Sequence, residues 1–506
     1  MPQQFIIFKT IFHMKKNIFI VFLAICTTNS GLFAQFGPNE HSAALIRTFQ
    51  GFQTPPPAPA FNGTLTETLD HVFDSITALS PIKGFNAAMR LPDGSVWKRA
   101  EGLATQIPTT TPLTTDHLMG MGSITKTFVA TTLLLLSEEG LLSLDDSIGK
   151  FVGPYPNIAP HATVRQLLSH RSGYNDYLNE NPATGNAWLT HLDSVWSVET
   201  LLNNYVLAPN FAPDDSFSYS NTNYLLAGVI IENLTGQPWY QVVREKVLEP
   251  LGLTHTFAYP WELPGNQPLS HVWADADGNG TVDDLQGLGL PDVGLFSLGN
   301  SAGCLITTPE DLTKFAERVF GGELLQPATL AAMQTDYQQD GSGSLYGLGA
   351  ASFPLPQNIE NWGHNGDLLY KSVVLYFPAE NMALAVQQND DRSYDPSQPV
   401  IDMSFVFISL LDAYLNYTAS TGTDELESGM AALSAFPNPA GQSVRLKFPG
   451  KTRPDFPLEV TLRDVNGKVL HTQSVDNEND EIYTGHLVPG VYALTAGRFS
   501  FMVVKM

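Results

Sequence analysis

The segment DHLMGMGSITKTFVATTLLLLSEEGLLSLDDS, Asp116–Ser147, joins a Ser-x-x-Lys tetrapeptide to a long apolar run. Ser123 and Lys126 stand three residues apart, directly ahead of Phe128–Leu136. Read as a helix, three residues make about one turn, so hydroxyl and amine share a face. Ser123 then falls in the first turn, where free backbone N–H groups and the helix dipole favour developing negative charge. A serine hydroxyl is a weak nucleophile until a base takes its proton. A desolvated lysine serves as that base, because burial lowers its pKa. The run behind it is too apolar for a surface helix and predicts a helix buried in a core. Ser-x-x-Lys alone is a common tetrapeptide, so the chemistry needs partners elsewhere.

Length and composition set the frame. A chain of 506 residues has room for two to four domains and a large core. With 43% apolar and 15% charged residues it reads as globular. A net charge of −24 argues against nucleic acid or an anionic membrane as partner.

The beginning reads as a secretory signal peptide over 1–34: Lys15 and Lys16, the apolar Ile18–Ile25, then small residues to a cleavage point between Ala34 and Gln35. Met14, followed by the two lysines, is the more natural start. The apolar run is too short to span a membrane, and bulky Ile25 before Cys26 disfavours lipid attachment. Residues 35–63, rich in Pro, Gly and Asn, read as a leader. Of two cysteines, Cys26 leaves with the signal, so Cys304 has no disulfide partner and reads as a buried structural thiol.

Helical spacing of Leu65, Leu69, Val72, Phe73 and Ile76 predicts a helix over 64–79, and 84–103 alternates as strands around Pro92-Asp93-Gly94. Thr163–Tyr174 reads as a short helix with a glycine cap. There His170 is expected to bond helix-end carbonyls instead of catalysing. FSYSNTNY, Phe217–Tyr224, places Tyr219 and Asn221 on a loop before the apolar run Leu225–Leu234. Tyr219 with its proton drawn toward a lysine acts as general base and then general acid, and Asn221 holds a carbonyl and the amine. The competing reading is an ordinary turn with an asparagine cap.

Asp275, Asp277, Asn279, Thr281 and Asp283 supply oxygens on alternate residues, with Gly280 at the sixth position. That spacing resembles a calcium loop, but Gln286 stands where the twelfth position needs an acid. A structural calcium and a solvated acidic turn both remain open. Gly303–Phe320 reads as a strand entering a helix that Thr308 or Pro309 opens. NWGHNGD, Asn361–Asp367, precedes strands over 370–377 and 382–388. His364 is expected as an imidazole donor beside a backbone thinned by Gly366, with the N–H of Asp367 and of Ser123 forming an oxyanion hole. Residues 401–417 read as a closing amphipathic helix.

Ser123/Lys126, Tyr219/Asn221 and His364/Gly366 follow one another at gaps of 96 and 145 residues. With GSITKTF, LLSHRSGY, FSYSNTNYLLAG, TTPEDLTKF and GHNGDL in this order, residues 65–415 resemble the serine β-lactamase and penicillin-binding superfamily. The branch resembled holds class C β-lactamases, D-alanyl-D-alanine carboxypeptidases and esterases. The resemblance implies an α+β fold: an antiparallel sheet flanked by helices, with an all-helical subdomain. It implies Ser123 as acylated nucleophile, Lys126 as the group that deprotonates it, Tyr219 as proton shuttle, and Asn221, His364, Gly366 and Asp367 around the substrate. No cofactor is required. His364 stands where β-lactamases carry a lysine that holds the β-lactam carboxylate, which sets the chain apart from dedicated β-lactamases. A small-molecule or peptide amide, ester or β-lactam is the implied substrate; a ligand-binding protein that kept the fold without turnover is the alternative.

Residues 418–430 read as a linker. Beyond it, 431–506 carry eight Lys/Arg and seven Asp/Glu, a net of +1 against −25 for the rest, which marks a separate domain. Alternation over 443–448, 458–463, 468–473 and 490–495 predicts a small β-sandwich. AFPNPA, DVNGKVL and LVPGVY resemble the C-terminal sorting domain of type IX secretion. That resemblance implies the type IX machinery as partner and an extracellular or cell-surface destination.

Overall fold

The computed structural model describes residues 64–421, apart from 277, 336–337, 340–342, 356–357 and 394–399, and between 434 and 505 the strands with some adjoining residues. The expected signal peptide and leader, and the expected linker from residue 422 on, lie outside the described residues. The chain divides into two compact units, one formed by 82–353 with 361–392, the other by the flanking segments and everything from 393 on.

The first unit is built on a nine-stranded antiparallel sheet. Its strands are β1 (Gly84–Arg90), β2 (Val96–Thr105), β3 (Thr111–Pro112), β4 (Gln338–Gln339), β5 (Leu345–Tyr346), β6 (Ala351–Ser352), β7 (Trp362–Leu368), β8 (Tyr370–Phe377) and β9 (Met382–Gln388). They lie in the order β3-β2-β1-β9-β8-β7-β6-β5-β4. The register sets Ala87 opposite Val386, Val373 opposite Val386, and Gly366 opposite Ser372. Every residue of β8 and β9 is buried, including the polar Lys371, Ser372, Gln387 and Gln388 at one end of the pair, as befits strands covered on both faces.

Three helices matter for the site: α2 (Thr125–Glu138), α3 (Asn221–Thr235) and α4 (Pro309–Phe320), with the label α1 kept for Leu65–Thr77 in the second unit. Thr308 caps α4 by accepting the Asp311 N–H, and Pro309 opens it, as the sequence predicts. Its stripe of Leu312, Phe315, Ala316 and Val319 is buried, and Phe315 stacks on Phe128 of α2 with ring centres 3.6 Å apart. Packed this way, α2 lies within the core from Thr125 to Leu134, and only its last turn is half-buried. Cys304 is buried, and burial pushes its thiol far up, so it is inert.

The second unit holds α1, which opens on a Thr64–Glu67 capping box, and α5 (Met403–Thr421), against which α1 packs. The expected amphipathic helix at 401–417 is corrected here: α5 is buried on all sides from 403 to 414, because MSFVFISLLDAY is apolar around most of its circumference. It also runs into the expected linker as far as Thr421. The tail forms two antiparallel sheets, one of three strands and one of four. Three of these, Ser434–Phe436, Glu481–Tyr483 and Phe499–Lys505, were not legible from alternation; two are three residues long, too short to show a period.

Candidate active site

Ser123 lies in a single 3-10 turn, Gly122–Ile124, ahead of α2, and not in the first α-helical turn that the spacing predicts. The cause is Gly122, whose φ of +51° turns the chain tightly. The same turn is pressed onto β7: a Cβ on Gly122 would sit 2.6 Å from Asp367 N, and one on Gly366 would sit 1.8 Å from Met121 O and 3.0 Å from Ser123 N. The two glycines thus let the backbones of residues 121–123 and 366–367 approach without side chains between them.

Lys126 is fully buried on α2. Its Nζ reaches Ser123 Oγ at 2.9 Å, Asn221 Oδ1 at 2.7 Å and Ala302 O at 2.7 Å. Burial pushes this amine down to about 7, with the Asp176 carboxylate opposing the shift. At neutral pH a large fraction is therefore uncharged and able to accept a proton.

Asn221 is the first residue of α3 and does not stand on the preceding loop. Ser220, in the capping position, makes no side-chain cap, so the turn reading of this motif does not describe the site. The Asn221 amide bridges two groups: Oδ1 faces Lys126, and Nδ2 donates to Asp176 Oδ2 at 2.9 Å. Asp176 is completely buried, and burial raises its carboxyl despite donation from Leu178, Asn179 and Asn221. Sequence reasoning passed over it, although it lies six residues beyond His170 in SHRSGYNDY.

Tyr219 lies with Lys126 Nζ 5.0 Å from its ring centre, and Ser123 is near enough to its hydroxyl to lower the pKa. Burial is the larger influence and pushes the phenol well up. No hydrogen bond of ordinary geometry closes on this buried hydroxyl, which leaves it aimed at Ser123 without a fixed partner. The ring is held by His170, stacked 4.1 Å away at 31°. His170 has the expected structural role through different partners: its Nδ1 accepts from Ser220 N and faces Asn223 Nδ2, each at 3.0 Å, so it receives N–H groups and does not bond carbonyls.

His364 on β7 departs from the expected substrate donor. Its Nδ1 bonds the Asn365 carbonyl, so that nitrogen carries the proton, and Nε2 accepts from Tyr346 Oη at 3.0 Å. Burial pushes this imidazole down to about 3, so it is neutral throughout the ordinary range. Tyr346 belongs to YGLG, a motif the sequence reading did not single out. Asp367 pairs with Lys371 along the sheet.

The calcium-like loop lies apart from these residues, between the paired Trp273–Ala274 and Asp283–Asp284. Asp275 accepts from Asn279 N at 3.0 Å and Gly280 N at 2.8 Å, and Asn279 Oδ1 from Thr281 N at 2.8 Å. Asp277 lies outside the described residues. Among the described residues no group of three or more His, Cys, Asp or Glu is placed to hold a metal ion, and no helix is long and apolar enough to cross a membrane.

Similarity to known proteins agrees with this geometry. The chain is 30% identical to a D-stereospecific amidohydrolase from Streptomyces sp., covering 65% of this chain and 95% of that one with a TM-score of 0.56. It is 26% identical to D-amino acid amidase from Ochrobactrum anthropi SV3, covering 70% and 99% with a TM-score of 0.60. Among curated relatives it is 24% identical over 302 residues to Penicillin-binding protein 4* of Bacillus subtilis (strain 168), covering 57% of this chain and 64% of that one. The chain spans between half and just under two-thirds of the first such relatives' length, 64%, 56% and 51%. Residues 434–503 match the Secretion system C-terminal sorting domain. Residues 77–401 match the Beta-lactamase family model, and on that match over more than half its length the chain belongs to the beta-lactamase family.

Proposed function

We propose that this protein is an exported serine hydrolase that cleaves an amide or ester through an acyl-enzyme on Ser123. The observation that carries the reading is the 2.9 Å contact between Ser123 Oγ and a lysine amine held near neutrality by burial. Neutral Lys126 takes the serine proton as Oγ attacks the substrate carbonyl carbon. The N–H groups of Ser123 and Asp367 face the oxygen that becomes negative. Tyr219, drawing on the lysine, passes the proton to the departing amine or alcohol, and the C–N or C–O bond breaks. Water then attacks the acyl carbon, gives its proton back through Tyr219 and Lys126, and releases the acid with Ser123 restored.

The substrate class follows from what stands beside the serine. Neutral His364 occupies the place where a β-lactamase lysine would meet a carboxylate. The chain therefore favours D-amino-acid amides and short esters over β-lactams, in keeping with the two amide-cleaving structural relatives. The sorting domain supports export, through type IX machinery, to the cell surface or beyond; deleting 434–506 should then leave the protein in the periplasm.

Initial rates on D-phenylalanine amide, a D-alanyl-D-alanine peptide, a short nitrophenyl ester and a chromogenic cephalosporin, each with Ser123→Ala alongside, test the activity. Ser123-dependent turnover of an amide, peptide or ester is expected. Binding of these ligands without any Ser123-dependent product would favour a silent ligand-binding protein instead.

A further inference from the structure

A cavity of about 220 Å3 opens against α3 beyond the catalytic cluster. Its volume is that of roughly seven liquid waters, enough for a small organic molecule. Three aromatic rings make a corner there. Tyr240 and Trp261 lie nearly parallel, 15° apart in plane and 6.1 Å between centres, and Trp239 stands edge-on to them at 90° and 77°. Glu199 and Glu232 also line the cavity, and none of its lining residues is Lys, Arg or His.

The two carboxylates act on common ground. The Tyr155 phenol is pushed up by burial and then by both of them. The Glu232 carboxyl is itself raised by burial and by Glu199, with the Trp239 N–H opposing. Two acids and three aromatic rings around one small space, with no cation in the wall, favour a positively charged occupant.

We propose that this cavity binds a small organic ammonium ion, with the cation at the aromatic corner and between the carboxylates. The site adjoins the catalytic machinery. Trp239 Nε1 donates to Asn300 Oδ1 at 3.1 Å, Asn300 and Ser301 line the cavity, and the next carbonyl, Ala302 O, holds Lys126 Nζ.

The test is a calorimetric titration of the full chain carrying Ser123→Ala, so that the catalytic serine takes no part. Choline and its uncharged isostere 3,3-dimethylbutan-1-ol are the two probes. Choline should bind saturably at one site, with the alcohol weaker by about tenfold or more. Glu232→Gln should weaken choline by about tenfold, and exposed Glu199→Gln should weaken it in the same direction. The glutamine at 232 keeps an oxygen for the Trp239 N–H, a contact of 3.1 Å in the parent, and an unchanged melting temperature verifies the fold. No saturable choline binding, equal binding of the alcohol, or choline binding untouched by both substitutions would overturn the proposal.

Discussion

Tyr346 Oη and His364 Nε2 lie 3.0 Å apart, both side chains buried, with the tyrosine donating to the imidazole. That bond and the one from Nδ1 to Asn365 fix the ring on β7 beside the nucleophile turn. Tyr346→Phe removes the donor and leaves Nε2 buried without a partner, at a cost of about 1–3 kcal/mol. We expect a measurable fall in melting temperature, together with a loss in kcat/KM from misplacement of β7. An unchanged melting temperature and rate would show that the pair holds nothing in place.

The acid limb of the activity profile should belong to Lys126. Its amine must be neutral to accept the serine proton, and its pKa lies at about 7. So kcat/KM should rise with pH through about 7 and level off above it. Asp176 opposes the depression, so Asp176→Asn should move the limb to lower pH. A limb that stays in place, or moves upward, in that variant would separate Asp176 from the lysine.

Gly366→Ala should be among the most damaging single changes. The added Cβ would meet Met121 O at 1.8 Å, a backbone atom that cannot swing aside. Either β7 or the turn bearing Ser123 must move, so turnover should fall by at least about 100-fold, as a roughly 1 Å misplacement produces. Comparison of rate and melting temperature against wild type checks it; near-normal turnover would mean the close approach is not required.

Metal removal should leave the rate alone. Every proton transfer in the proposed cycle is assigned to Ser123, Lys126 and Tyr219, and the loop carrying Asp275, Asn279, Thr281 and Asp283 lies elsewhere. Turnover should be unchanged by excess chelator, while the melting temperature with and without calcium reports on the loop itself. A rate lost to chelator and restored by calcium would contradict the assignment.

Much of the site was legible because its chemistry is carried by side chains whose types and order are distinctive. Ser123, Lys126, Tyr219 and Asn221 are separated by as many as 98 residues in the chain, yet meet around one amine. The supporting groups were harder to see. Asp176 becomes meaningful only when burial places its carboxylate against Asn221. Tyr346 lies on a two-residue strand with no periodicity to announce it. The role of His364 was read from residue type, which gives no tautomer; that depends on the Asn365 carbonyl and Tyr346 hydroxyl beside it. In the fold, long strands such as β8 and β9 were plain, while α5 was misread as amphipathic although residues 403–414 are apolar around most of the helix.

The central claim is that substrate acylates Ser123. The most direct measurement is intact-protein and peptide mass spectrometry after rapid quenching with an activated nitrophenyl ester. We predict a mass increase equal to one acyl group, located on the peptide containing Ser123 and absent in Ser123→Ala. Hydrolysis of the ester with no adduct on Ser123, or an adduct that persists in Ser123→Ala, would contradict it.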